Sequence, residues 1–299
     1  MTEAVGTRVR CWGAVFLVIS AAGLSAQSYV PQRVFDSATS QFSDFESMVA
    51  TLSKADVVLV GEQHDDPNTH RLERALLDGL ARRRGDIILS LEMFERDVQP
   101  RLNQFHRGAL PESEFLASSR PWPRYATDYK PLVDLAVERK WPIVAANIPR
   151  PIASQISKGG LDVLRNMGES ELEWVAHDWD CPTGDEYYRR FKDVMGGHTG
   201  VEEMDRFYAA QCLKDETMAE SITKAWSAAL KTNPGTRPLV VHYNGSFHSD
   251  YGLGTAARVK SRLPDLKTVV VTMIPVANLD NIPTADHKSR GDYLVFTVK

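Results

Sequence analysis

The run Asp56-Val57-Val58-Leu59-Val60-Gly61-Glu62-Gln63-His64-Asp65-Asp66-Pro67 decides the fold. Its first half is apolar and β-branched without alternation, the pattern of a strand buried on both faces. The chain then turns polar, and Asp66 can cap a helix whose first turn accepts Pro67. Leu72, Ala75, Leu76, Gly79 and Leu80 follow at the spacing of one helical face. A second apolar run, Ile87 to Leu91, comes next. Strand, helix, strand in this order is a βαβ unit, and its two strands should lie parallel.

The pattern recurs downstream. Pro142 to Ala146, Pro238 to Tyr243 and Thr268 to Met273 read as further buried strands, and Tyr293 to Val298 as a sixth. Asp128 to Lys140 and Tyr251 to Arg262 read as helices feeding the third and fifth. The predicted fold class is α/β, a mainly parallel β-sheet flanked by helices. Residues from about 150 to 232 carry no strand pattern, and a structureless loop of that length does not suit a compact domain. They are expected to form a helical insertion that caps the carboxyl ends of the strands. Its best helix spans Glu202 to Leu230, where Met204, Phe207, Met218, Ile222 and Ala225 share a stripe with Gln211 and Asp215. Polar groups facing inward need partners.

Composition narrows the partners. Of 299 residues, 43% are hydrophobic and 25% charged, and 35 basic against 39 acidic side chains give a net charge of −4. That balance argues against a disordered tail and against general nucleic-acid binding, which would show an excess of Lys and Arg. The amino end differs from the rest. Arg8 and Arg10 precede an uncharged, mostly apolar run, Cys11 to Leu24, and then Ser25-Ala26, the order of a secretory signal peptide. The expectation is a leader over residues 1–26, then a single domain over 27–299 in the periplasm or outside the cell. Gln27 stands where a lipoprotein would carry its lipid-modified cysteine, so release rather than lipid anchoring is predicted. Loss of Glu3, Arg8 and Arg10 takes the charge from −4 to −5. Cys181 and Cys212 remain, either as a disulfide or as two buried thiols, and two cysteines are too few for a cysteine-based zinc site.

The strand ends are polar. The first closes in Gly61-Glu62-Gln63-His64, the second in Glu92-Met93-Phe94, the third in Asn147-Ile148-Pro149-Arg150 and the fourth in Asn244-Gly245-Ser246-Phe247-His248. Ligands of open parallel sheets bind beyond the carboxyl ends of the strands. Four strands thus deliver carboxylates, imidazoles, an amide and a guanidinium to one edge, and Gly-x-x-His occurs twice. Any one of these residues is more often structural than functional; their convergence is the signal.

Together with Asp128-Tyr129-Lys130, Gln211 and Asp215-Glu216-Thr217-Met218-Ala219, these motifs resemble the ChaN-like family, within the haem-binding-uptake and Tiki superfamily. The resemblance spans about Val57 to Ile274. It implies an exported α/β protein that binds haem or iron and is linked to iron acquisition in the bacterial envelope, and it is compatible with a homodimer and an outer-membrane uptake partner. It also points to Tyr129, Asn147, Arg150, Gln211 and Asp215 as candidate cofactor-binding residues. The wider group includes Tiki-type metalloproteases and resembles erythromycin esterases, which use a similar pair of Glu and pair of His. Those four map here onto Glu62, His64, Glu92 and His248.

Two mechanisms suit that quartet. His64, Glu92 and His248 could hold a divalent metal, with Glu62 deprotonating its water. Without metal, one His would be the general base and a Glu would fix its tautomer. Haem would use other groups: Tyr129, Tyr187, Tyr188, Tyr208, His177 and His198 are available as axial ligands, with Trp174 and Trp179 as walls. None of them lies in a haem motif. Gly252-Leu253-Gly254-Thr255-Ala256-Ala257 has the letters of a dinucleotide fingerprint but lies eight residues beyond its strand, so it is rejected.

Overall fold

The computed structural model describes residues 1–2, 29–196 and 200–299. The expected leader, with its arginines, apolar run and Gln27, lies outside the described residues, as does His198. The rest is built on one eight-stranded sheet: β1 (Gln32–Asp36), β2 (Gln41–Ser43), β3 (Val57–Glu62), β4 (Ile87–Glu95), β5 (Ile143–Asn147), β6 (Leu239–Gly245), β7 (Thr268–Val276) and β8 (Tyr293–Val298). Their spatial order is β2-β1-β8-β7-β3-β6-β4-β5. All neighbours from β8 to β5 run parallel, and β1 pairs antiparallel with both β2 and β8. All six predicted strands are present. The β1–β2 hairpin was not predicted, because β2 is exposed throughout and β1 buries only Val34 and Phe35, leaving no continuous apolar run.

The helix after β3 spans Pro67–Ala81. Asp66 caps it, its Oδ1 accepting from the Asn68 N–H at 2.9 Å, a contact worth about 1 kcal/mol. The buried face is wider than the spacing predicted: Leu72, Leu76, Leu77, Leu80 and Glu73 are buried, whereas Ala75 is exposed. The cause is a second layer, since Val49 and Leu52 of the Phe45–Leu52 helix and Leu132 and Val133 of the Lys130–Arg139 helix join the same core. Arg82, Arg83 and Arg84 meet Glu46 and Asp86 in surface ion pairs.

On the opposite face the insertion is helical, as expected, but it does more than cap. Its principal helix, Val201–Thr232, has 32 residues and so is about 48 Å long. The carboxyl half lies against the sheet, where Ala219, Ile222 and Trp226 pack on Val57, Leu59, Ile88 and Val240. The amino half packs Ala209, Ala210 and Leu213 against Ile152 and Ile156 of the Arg150–Gly159 helix, and it carries Gln211 and Asp215 over the strand ends. A disulfide joins Cys181 to Cys212, fastening the preceding loop to this helix. No described helix is long and apolar enough to cross a membrane.

Candidate functional site

Two glycines let the strand ends interlock. β3 and β6 are adjacent, with Glu62 opposite Gly245. A Cβ on Gly61 would lie 2.9 Å from the Ser246 Cα, and one on Gly245 would lie 2.7 Å from the His64 Nε2. Each Gly-x-x-His motif therefore needs the glycine of its own strand so that the other motif can approach. The Gln63 amide donates to the Ser246 hydroxyl at 3.0 Å, binding the two turns together. A bulge in the β4–β5 pairing between Leu91 and Glu95 frees Glu92 from a regular register, and the Gly245 N–H donates to its Oε2 at 2.7 Å.

The quartet, drawn from three of the four strand ends, meets around Gly245 in two pairs. His64 Nδ1 donates to Glu62 Oε1, and its ring, half exposed, stands edge-on to Trp122 with centroids 5.0 Å apart. The Tyr129 hydroxyl donates to the same Glu62 oxygen at 2.9 Å. His248 is held between acids: Nδ1 lies 2.7 Å from Asp215 Oδ1 and Nε2 lies 3.3 Å from Glu92 Oε1. Asp215, wholly buried, also accepts from the Tyr187 hydroxyl at 2.6 Å and the Thr255 hydroxyl at 2.8 Å. Gln211 reaches both Tyr187 and His248. The inward polar stripe on the long helix thus finds its partners in the strand-end cluster.

Electrostatics follow from that pairing. Burial opposes charge on His248, but Glu92 and Asp215 outweigh it and push the imidazole up to about 10. Burial would likewise raise Glu92; His248 and His64 overcome it and hold the carboxyl far below its usual range. Glu62, also buried, is held down to about 2 by His64 and His70, and His64 is raised because its carboxylate neighbours outweigh its own desolvation. His242, six residues before His248, shows the other outcome. Without a contacting acid, burial drives it down to about 3, and it pairs with the Ser90 hydroxyl at 2.8 Å.

Sequence reasoning missed a layer behind Glu62. His70 Nδ1 lies 2.9 Å from Glu73 Oε2 and 3.2 Å from Glu62 Oε2, and its Nε2 faces the His64 carbonyl at 3.2 Å and Asp128 at 3.4 Å. Burial opposes charge here too, yet Glu62 and Glu73 push His70 up to about 11, while burial and the neighbouring Glu62 raise Glu73. The available signal was His70-x-x-Glu73, one helical turn apart on the face that also carries Leu76, Leu77 and Leu80. Among the described residues, Glu62, His70 and Glu73 are the group of three whose ligand atoms lie within 4.8 Å of one another.

The remaining candidates define a cleft beside the cluster, with a volume of about 540 Å³. Trp122, Ile148, Phe191, Met195 and Phe207 form its apolar walls, and Asn147, Arg150, Gln211 and Lys214 its polar positions. Arg150 is braced by Glu95 at 2.5 Å and by the Arg120 carbonyl at 2.6 Å. The expected haem ligands lie elsewhere: Tyr129 is committed to Glu62, Tyr187 to Asp215 and Tyr188 to Asp205, and Tyr208 is buried in a cluster of aromatic rings. His177 and Trp179 are exposed, and Trp174 packs against the Arg150–Gly159 helix.

A mostly parallel sheet with paired acids and imidazoles at its carboxyl edge, covered by a helical insertion, defines an α/β protein with a ligand cleft at the strand ends. Residues 48–259 match the family described as haem-binding uptake, Tiki superfamily, ChaN, and the chain belongs to that family. Among solved structures it is similar to ChaN of Campylobacter jejuni, in a structure described as cofacial haem binding, with a TM-score of 0.66 at 20% identity over 90% of this chain and 97% of that one. Weaker likeness extends to RRSP, a MARTX toxin effector domain from Vibrio vulnificus, with a TM-score of 0.42 at 17% identity over 79% of this chain and 36% of that one. The erythromycin esterase EreC gives 0.44 at 13% identity over 90% and 83%. Both are too distant to carry a functional argument. No curated protein matches the sequence.

Proposed function

We propose that this chain is an exported haem-binding protein of the bacterial envelope, serving iron acquisition, and that its strand-end cleft receives haem as cargo. The observation that carries the reading is the composition of that cleft. A porphyrin is flat, apolar across its faces and anionic at its two propionates. Trp122, Ile148, Phe191 and Phe207 supply apolar and aromatic walls, and Arg150 and Lys214 supply cations on the same cleft. Lys214 makes no ion pair among the described residues, so its charge is available to a carboxylate. The volume of about 540 Å³ lies in the range of small-molecule sites. The leader pattern in the sequence and the Cys181–Cys212 disulfide support export to an oxidising compartment. In this reading the bound haem supplies iron and a chromophore, and the protein supplies walls, cations and exclusion of water.

Titrating the purified protein with haem, followed at the Soret band, tests it. A saturable shift is expected, weakened by about tenfold or more in an Arg150→Ala/Lys214→Ala variant through loss of charge-assisted contacts. No shift in the unaltered protein would refute it.

One observation favours a second reading, an acid–base or metal-dependent hydrolase. His64 has its Nδ1 tied to Glu62, which leaves Nε2 as the proton acceptor, and that atom faces Gly245 beside Glu92. This is how a carboxylate orients a general base. Hydrolysis of activated esters that disappears in His64→Ala would support it; the same rate in both proteins would remove it.

A further inference from the structure

The cluster behind Glu62 is short of positive charge. Glu62 and Glu73 are fully buried at their side chains, and His70 is the one cation contacting both. Glu62 Oε1 is occupied by His64 and Tyr129, but Glu62 Oε2 and Glu73 Oε1 accept no hydrogen bond from the described residues. One Nδ1–H cannot serve two acceptors, and at 2.9 Å it goes to Glu73. A buried carboxylate oxygen without a donor is costly, and Glu62 and Glu73 each leave one among the described residues.

The orientation of His70 suggests what fills the deficit. Its Nε2 faces the His64 carbonyl at 3.2 Å and Asp128 Oδ2 at 3.4 Å, so both acceptors on that side call for an N–H there. With the proton on Nε2, Nδ1 offers a lone pair toward Glu62 and Glu73. Metal-bound histidines show this arrangement, donating the far N–H to a carboxylate or carbonyl. We propose that Glu62, His70 and Glu73 bind a divalent first-row transition ion such as Zn²⁺, at a site separate from the haem cleft. Two carboxylates and a neutral imidazole carry −2, which one such ion neutralises. Donors at about 2.0–2.2 Å from a tetrahedral ion lie about 3.3–3.6 Å apart. The observed 3.2 and 2.9 Å separations need to open by only a few tenths of an ångström. Two of the ligands sit one helical turn apart and the third ends a strand, so the backbone already fixes the set. On the Nε2 side of the ring, His70 and Asp128 line a groove of about 860 Å³ on the surface beside this helix. Imidazole with carboxylates suits zinc, iron or manganese better than calcium, which prefers oxygen alone.

Equilibrium dialysis of the full chain against Zn²⁺, with metal content read by elemental analysis, tests the site. About one equivalent is expected, lost in His70→Ala and in the near-isosteric Glu73→Gln, and kept in His64→Ala and His248→Ala. Asp128→Asn should weaken binding by about 10–100-fold by loosening the His70 ring. A Zn²⁺-dependent rise in melting temperature, reversed by chelator and absent from a folded Glu73→Gln, should accompany it. No bound metal, or metal retained in Glu73→Gln, overturns the proposal, as does loss that follows His64 and His248 instead.

Discussion

His248 and His70 are both buried imidazoles set among carboxylates, two for His248 and three for His70, yet their surroundings differ in completeness. Around His248 every acid has other donors: the Gly245 N–H serves Glu92, and the Tyr187 and Thr255 hydroxyls serve Asp215. Around His70, Glu73 has no donor among the described residues but the imidazole, and Glu62 and Glu73 each leave an oxygen over. The same residue types therefore make two different devices. The first is a finished electrostatic block that locks the long helix to the strand ends; the second lacks a positive charge that a cation would supply.

Substitutions should separate the two. Asp215→Ala strands His248, Tyr187 and Thr255 at once, and breaking a buried, hydrogen-bonded pair should cost about 3–5 kcal/mol in chemical denaturation. Glu73→Gln, tested without metal, should cost far less or stabilise, because it removes a fully buried carboxyl that burial and Glu62 already push towards its neutral form and replaces it with a neutral amide of the same shape. Equal losses would erase the distinction. Reducing the Cys181–Cys212 disulfide should cost about 3–4 kcal/mol on the chain-entropy estimate, since it closes a 31-residue separation. That loss should loosen Gln211 and Asp215, which flank Cys212, and leave the Pro67–Ala81 helix protected in hydrogen exchange.

A smaller effect is expected from Gly245→Ala. Its Cβ would overlap His64, so about 1–3 kcal/mol should be lost and the His64 ring displaced, visible as a changed imidazole resonance in NMR. A further difference lies in pH dependence. His248 titrates higher folded than unfolded, at about 10 against 6.5, so its contribution is complete below about 6.5 and fades as pH rises through 10. The groups facing it are Glu92, Asp215, Gln211 and Tyr187. His242 has the opposite sign, at about 3, so its contribution fades as pH falls from 6.5 towards 3. His248→Ala should flatten the alkaline side of a melting-temperature profile and leave the acid side in place.

Much of this arrangement was readable from residues alone. Continuous apolar runs fixed six buried strands, and the polar endings of four of them marked the site, because side chains at the carboxyl edge of a parallel sheet must converge. Gln211 and Asp215 were legible as polar intruders in an apolar helical stripe. The β1–β2 hairpin was not, since an edge hairpin buries too little to leave a pattern. His70 and Glu73 were hidden for the opposite reason: they share the buried face of a helix whose leucines account for its periodicity, and only packing against Glu62 reveals them. Tyr129 was found by motif, but its hydrogen bond to Glu62 needs the three-dimensional contact.

The most direct test is a paired haem titration at the Soret band of three proteins: unaltered, Arg150→Ala/Lys214→Ala in the cleft, and Glu73→Gln in the rear cluster. The account predicts saturable binding in the first, binding weakened by about tenfold or more in the second, and unchanged affinity in the third. No binding to the unaltered protein, or identical affinity in the cleft variant, would contradict the assignment of haem to the strand-end cleft.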